Sequence, residues 1–358
     1  MAQHMRHMIA AAALAAGLIC PALAQDRIMV EPKALEALVA APKPAPPPAH
    51  VETPIDRAHR ALIKGDYVEA RALAEPLAKK GDGAANHLLG YLYERGLGVR
   101  ADIGAAMRHY GDAAIAGDAD AQIALGILAF EGGGVYPDYE RAAGWFRLAS
   151  AQGDPRGDVK LGLMFAEGAG VARDLVAATH HFAKAAQKGD ADGEFFLGVA
   201  WMNGDGVPQS YAKAAKSFEA AAAQGHAEAA YHLALLYDSP ALGAPDTDKA
   251  VKAMRFAAEN DFPPAFAAMG LIVHRGDAPG VAADWFEKGA RAGDPQAALL
   301  FAIALSRGDG RAKDPVGALS IVDQLLASRD IPDPLRAQAQ TLKKSIAQRT
   351  TGPITLRD

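Results

Sequence analysis

The feature that most constrains the fold of this chain is a period of 36 residues. Glycine or asparagine, followed by Asp or His, begins each period at Gly81, Gly117, Gly153, Gly189, Gly225, Asn260 and Gly293. The first four intervals are 36 residues, and the last two are 35 and 33 residues. A fixed period of this length is typical of a solenoid, in which each repeat supplies one small unit of structure that is stable only when stacked on its neighbours.

Each period contains the start and stop signals of two helices. Acidic residues such as Asp118 follow the first glycine and can accept backbone N–H bonds as the N-cap of a first helix. A second set of cap residues recurs in the same positions, at Asp102, Asp138, Asp174 and Ser210. Between the first and second helix of each period lies a Gly-x-Gly turn, which begins at Gly96, Gly132, Gly168 and Gly204. Because glycine tolerates the left-handed conformation that ends a helix, the pattern predicts two helices per period.

The packing positions also recur. The first helix of four consecutive periods carries Leu-Gly, with the glycine at Gly90, Gly126, Gly162 and Gly198. Glycine inside a helix costs roughly 1 kcal/mol relative to alanine, so its return predicts that neighbouring helices approach closely there. The second helix carries an aromatic residue at Tyr110, Phe146, Phe182 and Phe218. Where Asn260 stands at the end of the fifth period, we expect it to adopt the left-handed conformation in place of glycine.

These motifs resemble the Sel1-like repeat family, a branch of the tetratricopeptide-type α-solenoids. Residues 119–153 carry its Leu-Gly, Gly-x-Gly-Val, Trp-Phe and closing Gly in order, and depart from it at Ala129 and Ser150. The resemblance implies an all-α fold, a right-handed α-solenoid of stacked antiparallel helix pairs. It also implies a role in protein–protein contacts, since members of the family commonly mediate them.

The same spacing divides the chain into domains. We predict a signal peptide at 1–24, a disordered Pro-rich leader at 25–54 and a tetratricopeptide-like helix pair at 55–81 that caps the N-terminal end. Seven repeats follow, at 82–117, 118–153, 154–189, 190–225, 226–260, 261–293 and 294–329. A C-terminal capping helix at 330–349 and a tail at 350–358 complete the chain.

The first 24 residues have the features of a secretory signal. Arg6 precedes an apolar stretch that runs from Met8 to Ile19, and Ala22-Leu23-Ala24 forms a small-x-small cleavage site before Gln25. The apolar stretch is short for a bilayer span of about 20 residues, so we expect no stable membrane insertion after cleavage. A periplasmic protein is the main interpretation, and secretion or lipid anchoring through Cys20 are the alternatives.

Composition and spacing argue against catalysis and against several ligand classes. The single cysteine, Cys20, lies within the predicted signal peptide. A formal net charge of −5 with no run of basic residues argues against nucleic acid as a partner. The glycine-rich turns follow helices and lack the Gly-Lys-Ser/Thr of a phosphate loop. Histidines such as His87 and His232 have no recognised metal-ligand spacing along the chain. We therefore expect no catalytic, cofactor or metal-binding residues.

The predicted function is a non-enzymatic exported scaffold or adaptor that binds a protein or peptide. The first helices of such solenoids line a groove, and its candidate residues are His87, Tyr91, Ile123, Ile127, Phe130, Leu163, Phe195, Val199, Met202, Tyr231 and Leu235. The other interpretation places part of this column in the core. The family resemblance implies roles in envelope signalling or in polysaccharide and envelope assembly. The alternatives are a cell-wall hydrolase and a peptidoglycan- or glycan-binding protein.

Overall fold

The structure is a computed structural model that describes residues 52–350, except 134–135 and 276–277. The predicted signal peptide and nearly all of the predicted leader lie outside the described residues, as does the tail beyond residue 350. Within the described residues every regular element is helical and there is no strand, which confirms the all-α prediction. The described residues fall into two compact units, 52–209 and 210–350.

The N-terminal unit contains nine helices in the part of it that the structure describes. They are α1 (Pro54–Lys64), α2 (Tyr67–Ala78), α3 (Gly83–Arg95), α4 (Ile103–Ile115), α5 (Ala119–Glu131), α6 (Tyr139–Ala151), α7 (Pro155–Glu167), α8 (Leu175–Gln187) and α9 (Ala191–Asn203). Each helix packs on the next one along the chain, and α1 also contacts α3, as α7 contacts α9. This is the arrangement of stacked helix pairs that the period predicts.

The C-terminal unit contains eight helices in its described residues. They are α10 (Tyr211–Ala223), α11 (Ala227–Tyr237), α12 (Thr247–Glu259), α13 (Pro263–Arg275), α14 (Pro279–Arg291), α15 (Pro295–Arg307), α16 (Pro315–Ala327) and α17 (Asp333–Thr350). A short 3₁₀ turn at Pro240–Leu242 replaces the Gly-x-Gly connection between α11 and α12. Successive helices again pack on each other, and α15 also contacts α13 and α17.

The predicted caps are confirmed at both ends of the first helices of the repeats. The carboxylates of Asp82, Asp118, Asp154 and Asp190 accept backbone N–H bonds at the starts of α3, α5, α7 and α9. At the other end of these four helices Gly96, Gly132, Gly168 and Gly204 lie in the left-handed region, with φ between 67° and 93°. The boundaries of each first helix are therefore set by short-range chemistry that recurs with the period.

The expected conformation of Asn260 is wrong. Its φ is −100°, and the residue with a positive φ is Asp261, at 57°. Asp261 lies 36 residues after Gly225, so the fifth repeat keeps the full period and ends one residue later than the sequence division placed it. Aspartate is one of the few side chains that visit this region at modest cost, because its short polar side chain can bond locally.

The glycines inside the first helices provide room for an aromatic ring, which confirms that the helices approach closely there. A Cβ on Gly126 would lie 2.3 Å from a ring carbon of Phe146, and one on Gly162 would lie 2.4 Å from Phe182. Phe146 is fully buried and Phe182 is 5% exposed. Each ring therefore occupies the space that a side chain on the facing helix would otherwise fill.

The glycines of the turns provide a second close contact, between consecutive repeats. A Cβ on Gly170 would lie 2.5 Å from the backbone of Tyr139, and one on Gly206 would lie 2.1 Å from the carbonyl oxygen of Leu175. Tyr139 and Leu175 are the first residues of the second helix in the preceding repeat. The turn of one repeat thus rests on the backbone of its neighbour, which a side chain would prevent.

The helix glycines generate a stability prediction with a built-in control. Gly126→Ala should lower the free energy of unfolding by about 1–3 kcal/mol, because overpacking forces the Phe146 ring to move. Gly144→Ala, on the neighbouring helix α6 with no atom within 4 Å of the new Cβ, should raise it by about 0.5–1 kcal/mol through helix propensity. Urea unfolding monitored by circular dichroism measures both. Equal effects of the two substitutions would contradict the packing role of Gly126.

Candidate functional site

The candidate groove residues of the N-terminal unit differ widely in exposure. Ile123, Leu163 and Phe195 are buried, at 7%, 6% and 2%. Tyr91 is exposed, at 37%. The half-buried members are His87, Ile127, Phe130, Val199 and Met202. The buried positions are part of the packing between helices, so the surface that a partner could contact in this unit consists of Tyr91 and the half-buried side chains.

The two candidates of the C-terminal unit, Tyr231 and Leu235, are both half-buried on α11. The ring of Tyr231 lies 5.2 Å from that of Phe262, which precedes α13. Burial raises the pKa of the Tyr231 hydroxyl, and the charge of Asp294 raises it further. Tyr231 therefore packs within its own unit while part of its surface stays accessible.

Exposed aromatic residues also occur at the turn of the second repeat, which the sequence analysis did not single out. Tyr136 is 93% exposed and Tyr139, at the start of α6, is 40% exposed. The ring of Tyr139 packs edge-on against Phe130 at a centroid distance of 4.9 Å. This contact joins the turn to the half-buried apolar side chains of α5.

A column of buried polar side chains runs through the first three repeats. Asn86, Gln122 and Asp158 lie 36 residues apart on α3, α5 and α7. The amide of Asn86 donates to the carbonyl of Ala78 at 3.4 Å, and that of Gln122 donates to the carbonyl of Ala114 at 3.2 Å. Both carbonyls belong to the last turn of the preceding second helix and also accept the backbone N–H of Gly81 or Gly117. The polar column therefore adds a side-chain hydrogen bond to helix ends that the backbone turn already closes.

In the third repeat the column becomes a buried charge cluster. The carboxylate of Asp158 is fully buried and accepts hydrogen bonds from Ser150 at 2.6 Å and Lys184 at 3.0 Å. His181 and Lys188 lie 3.1 and 3.2 Å away. Burial by itself raises the pKa of Asp158, but the hydrogen bonds from these four side chains outweigh it and hold the pKa below its usual range. The charged carboxylate is thus a favourable part of the folded unit.

Ser150 and Lys184 have the spacing of a nucleophile and its base, but the cluster opposes that chemistry. The ammonium nitrogen of Lys184 lies 2.8 Å from the hydroxyl oxygen of Ser150. A lysine base needs a free lone pair to take a proton, whereas the Lys184 nitrogen donates hydrogen bonds to both Ser150 and Asp158. The hydroxyl of Ser150 donates to the same carboxylate. These contacts fit a structural role for the cluster.

Three groups that could ligate a cation come together in the first two repeats. The ring nitrogen Nδ1 of His87 on α3 lies 3.5 Å from a carboxylate oxygen of Asp118, the N-cap of α5. Asp120, in the first turn of α5, supplies a third oxygen, and the three ligand atoms lie within 4.8 Å of one another. Spacing along the chain could not reveal this cluster, because its members belong to different repeats.

The C-terminal unit buries two titratable groups with opposite shifts. Burial, aided by the nearby His226, lowers the pKa of His232 to about 4. Burial raises the pKa of Asp294 to about 6, although backbone N–H groups partly oppose it. One oxygen of Asp294 accepts the N–H of Gln296 at 3.0 Å, and the other is buried without a hydrogen-bond partner.

These shifts act on stability in opposite directions. Because the pKa of His232 is below its unfolded value of about 6.5, the unfolded state binds more protons between about pH 6.5 and 4, and stability falls as pH falls through that window. The pKa of Asp294 is above its unfolded value of about 3.9, so stability rises as pH falls from about 6 to 4.

We predict that His232→Phe changes the pH dependence of stability. Phe196 occupies the equivalent position one repeat earlier, and Phe218 provides a ring 5.5 Å from His232 on which the new side chain can stack. Between pH 7 and pH 5 the wild type should lose about 2 kcal/mol relative to the variant, because only the wild type buries an imidazole that must stay neutral. Urea unfolding at the two pH values measures this difference. His274→Gln, at an exposed position, is the control, and parallel pH curves for wild type and His232→Phe would contradict the prediction.

No helix among the described residues is both long enough and apolar enough to cross a bilayer. No curated protein matches the sequence. The crystal structure of a Sel1 repeat protein from Oxalobacter formigenes is similar at 30% identity and a TM-score of 0.57, over 61% of this chain and 89% of that one. A protective antigen present in uropathogenic Escherichia coli strains, which displays the SLR fold, matches at 22% identity and a TM-score of 0.44, over 85% of this chain and 88% of that one.

The family comparison agrees with the repeats in the structure. The model described as Sel1 repeat matches residues 83–118, 119–154, 155–190, 191–226, 227–262 and 273–294. These segments hold α3 to α12 and the last part of α13 with α14. Each of the first five is 36 residues long, in agreement with the full length of the fifth repeat found above. Since the matches cover more than half of the sequence, the chain belongs to the Sel1 repeat family.

Proposed function

We propose that this protein is a non-enzymatic scaffold that binds a protein or peptide partner through the first helices of its N-terminal repeats. Sel1 repeat proteins generally mediate protein–protein interactions. The observation that carries the proposal for this chain is a row of partly exposed apolar side chains at two recurring positions of the first helices α3, α5 and α9. Helix α7 interrupts the row, because its equivalent residue Leu163 is buried. Tyr91, Ile127, Phe130, Val199 and Met202 form this row, which we call the apolar row.

The apolar row has the composition of a binding surface. Its aromatic members and methionine belong to the residue types that are enriched in interfaces. Ile127 and Phe130 pack against a buried cluster that includes Phe146 and Leu161, which supports them from behind. A polar edge accompanies it at Tyr91, where the guanidinium of Arg95 lies 5.8 Å from the ring centroid. A partner segment with apolar anchors would bury the row without reorganising the helices.

We further propose that the scaffold acts outside the cytoplasm, in the periplasm, in an envelope signalling or polysaccharide assembly system. The support is the signal-like segment at 1–24 and its cleavage site before Gln25. Secretion and a lipid anchor on Cys20 are the alternatives.

Crosslinking in cells tests the proposed surface. Tyr91→Asp should reduce capture of the partner about tenfold, because a charge in the row is desolvated on binding. Ile115→Asp is the matched control, since Ile115 is 82% exposed at the end of a second helix. Phe195→Asp would be a poor probe because Phe195 is 2% exposed and its loss would disturb folding. Equal capture by Tyr91→Asp and Ile115→Asp, both folded by circular dichroism, would reject this surface.

A peptidoglycan-binding assay, read together with the crosslinking result, distinguishes a second candidate function, glycan binding. The exposed rings of Tyr136 and Tyr139 favour it, since aromatic faces can stack on sugar rings. Retention of the purified protein on insoluble peptidoglycan, lost in Tyr136→Ala, together with no captured protein, would replace the scaffold proposal with a glycan-binding one.

Mass spectrometry of the protein purified from a Gram-negative periplasm tests the export proposal. We expect a mature chain that begins at Gln25, because Ala22 and Ala24 supply the small side chains that signal peptidase requires. Ala24→Leu should block cleavage and leave the precursor. A mature chain that begins with lipid-modified Cys20 would support the anchored alternative, and an intact chain in the cytoplasm would reject export.

A further inference from the structure

The cluster of His87, Asp118 and Asp120 joins two repeats with a mixed set of donor atoms. His87 lies in the middle of α3, whereas the two aspartates begin α5. The set contains one imidazole nitrogen and two carboxylate oxygens, all within 4.8 Å of one another. The side chains of His87, Asp118 and Asp120 are 32%, 19% and 55% exposed, so the cluster is open to solvent on one side.

The separation of the donors fits metal ligands better than a hydrogen bond. The His87 Nδ1 to Asp118 Oδ2 distance of 3.5 Å is longer than the usual 2.7–3.2 Å of an N–H···O bond. Ligands about 2.0–2.1 Å from a tetrahedral zinc ion lie about 3.4 Å from each other. The two atoms are therefore already spaced as neighbouring ligands of such an ion.

Other contacts hold the donors in this arrangement. Oδ1 of Asp118 accepts the backbone N–H of Ala121 at 2.8 Å, which fixes the carboxylate and leaves Oδ2 facing His87. The ring of His87 packs against that of Tyr110 at a centroid distance of 5.7 Å. Partners of this kind, which orient ligands without touching the ion, are typical of metal sites.

The local charge also favours a cation. Asp118, Asp120 and Asp154 supply three carboxylates, and the one guanidinium among them is that of Arg156, which pairs with Asp120 and Asp154. Counted with Arg156 alone, the three carboxylates leave two negative charges, and Lys188 offsets part of this at Asp154. Arg156 is therefore a partial competitor for the cation, since it shares Asp120, but it does not contact His87 or Asp118 in the structure.

We propose that His87, Asp118 and Asp120 bind a divalent transition-metal ion, with zinc as the best match to the donor set, and that water completes its coordination. Imidazole and carboxylate together suit zinc and its neighbours in the first transition row. The ion would tie α3 to α5 and so fasten the first repeat to the second. It would also fix His87, which lies one helical turn from Tyr91 in the apolar row.

Zinc titration of the full chain, purified without a histidine tag, tests the site. We expect the wild type to bind one ion, and its melting temperature to rise by about 3 °C or more at saturating zinc. His87→Ala should weaken this binding by about tenfold or more. His274→Ala, at an exposed position on α13, is the control and should bind as the wild type does. The wild type and both variants share the histidines near the N-terminus, so the difference in zinc binding between them excludes zinc bound there.

A variant with the opposite expected sign makes the test sharper. Arg156→Gln removes the guanidinium that competes for Asp120, so zinc should bind more tightly and raise the melting temperature further above that of the metal-free variant. Calorimetry gives the affinity in each case. A wild type whose melting temperature does not respond to zinc, or a His87→Ala variant that binds zinc as tightly as the wild type, would overturn the proposal.

Discussion

The contact between a glycine of the first helix and an aromatic ring of the second is the interaction on which the first three repeats depend, and it recurs in the sixth at Gly270 and Phe286. At Gly126 the ring of Phe146 occupies the place where a side chain would be. Close approach of this kind lets two short helices bury a large ring between them, since dispersion and hydrophobic burial both require contact without a gap. A 13-residue helix is marginal in isolation. The glycine costs roughly 1 kcal/mol of helix propensity but permits burial of the aromatic ring, which is worth about 1.5–3 kcal/mol.

Joining one repeat to the next requires different contacts. The second glycine of the turn, as at Gly206, lies against the backbone of the preceding repeat, and the polar column reaches the carbonyls at the preceding helix end. Hydrogen bonds from Asn86 and Gln122 give this joint a direction that apolar contacts lack. In the third repeat Asp158 takes the same position, and the chain supplies Lys184 and Lys188 to match its charge. A buried carboxylate is tolerated here because it is fully hydrogen-bonded.

The fold was predictable because its determinants are local and repeated. The N-cap at Asp118, the left-handed Gly132 and the Gly126 packing position each have a short-range physical cause that appears in the sequence at a fixed interval. The error at Asn260 arose where two residues could both take the left-handed conformation, and only the backbone decides between them. The site was less predictable. Spacing placed Ile127 and Phe195 in one column, yet their exposure depends on how neighbouring helices stack, which a single repeat does not encode.

Two features that the sequence analysis missed, the polar column and the cluster at His87, are formed between repeats. Asn86, Gln122 and Asp158 stand at one position of the period, so a polar residue recurring every 36 positions was a visible signal, although its partners were not. His87 and Asp118 are 31 residues apart and meet only because α5 stacks on the first repeat. In a solenoid the positions that build one repeat are constrained to recur, so function is most free to develop at joints and surfaces where successive repeats differ. His87, Ile123 and Val159 occupy equivalent positions of the period. Only the first of them is an imidazole, so the contact between the first two repeats has a side chain that can ligate a metal ion where the next two positions are apolar.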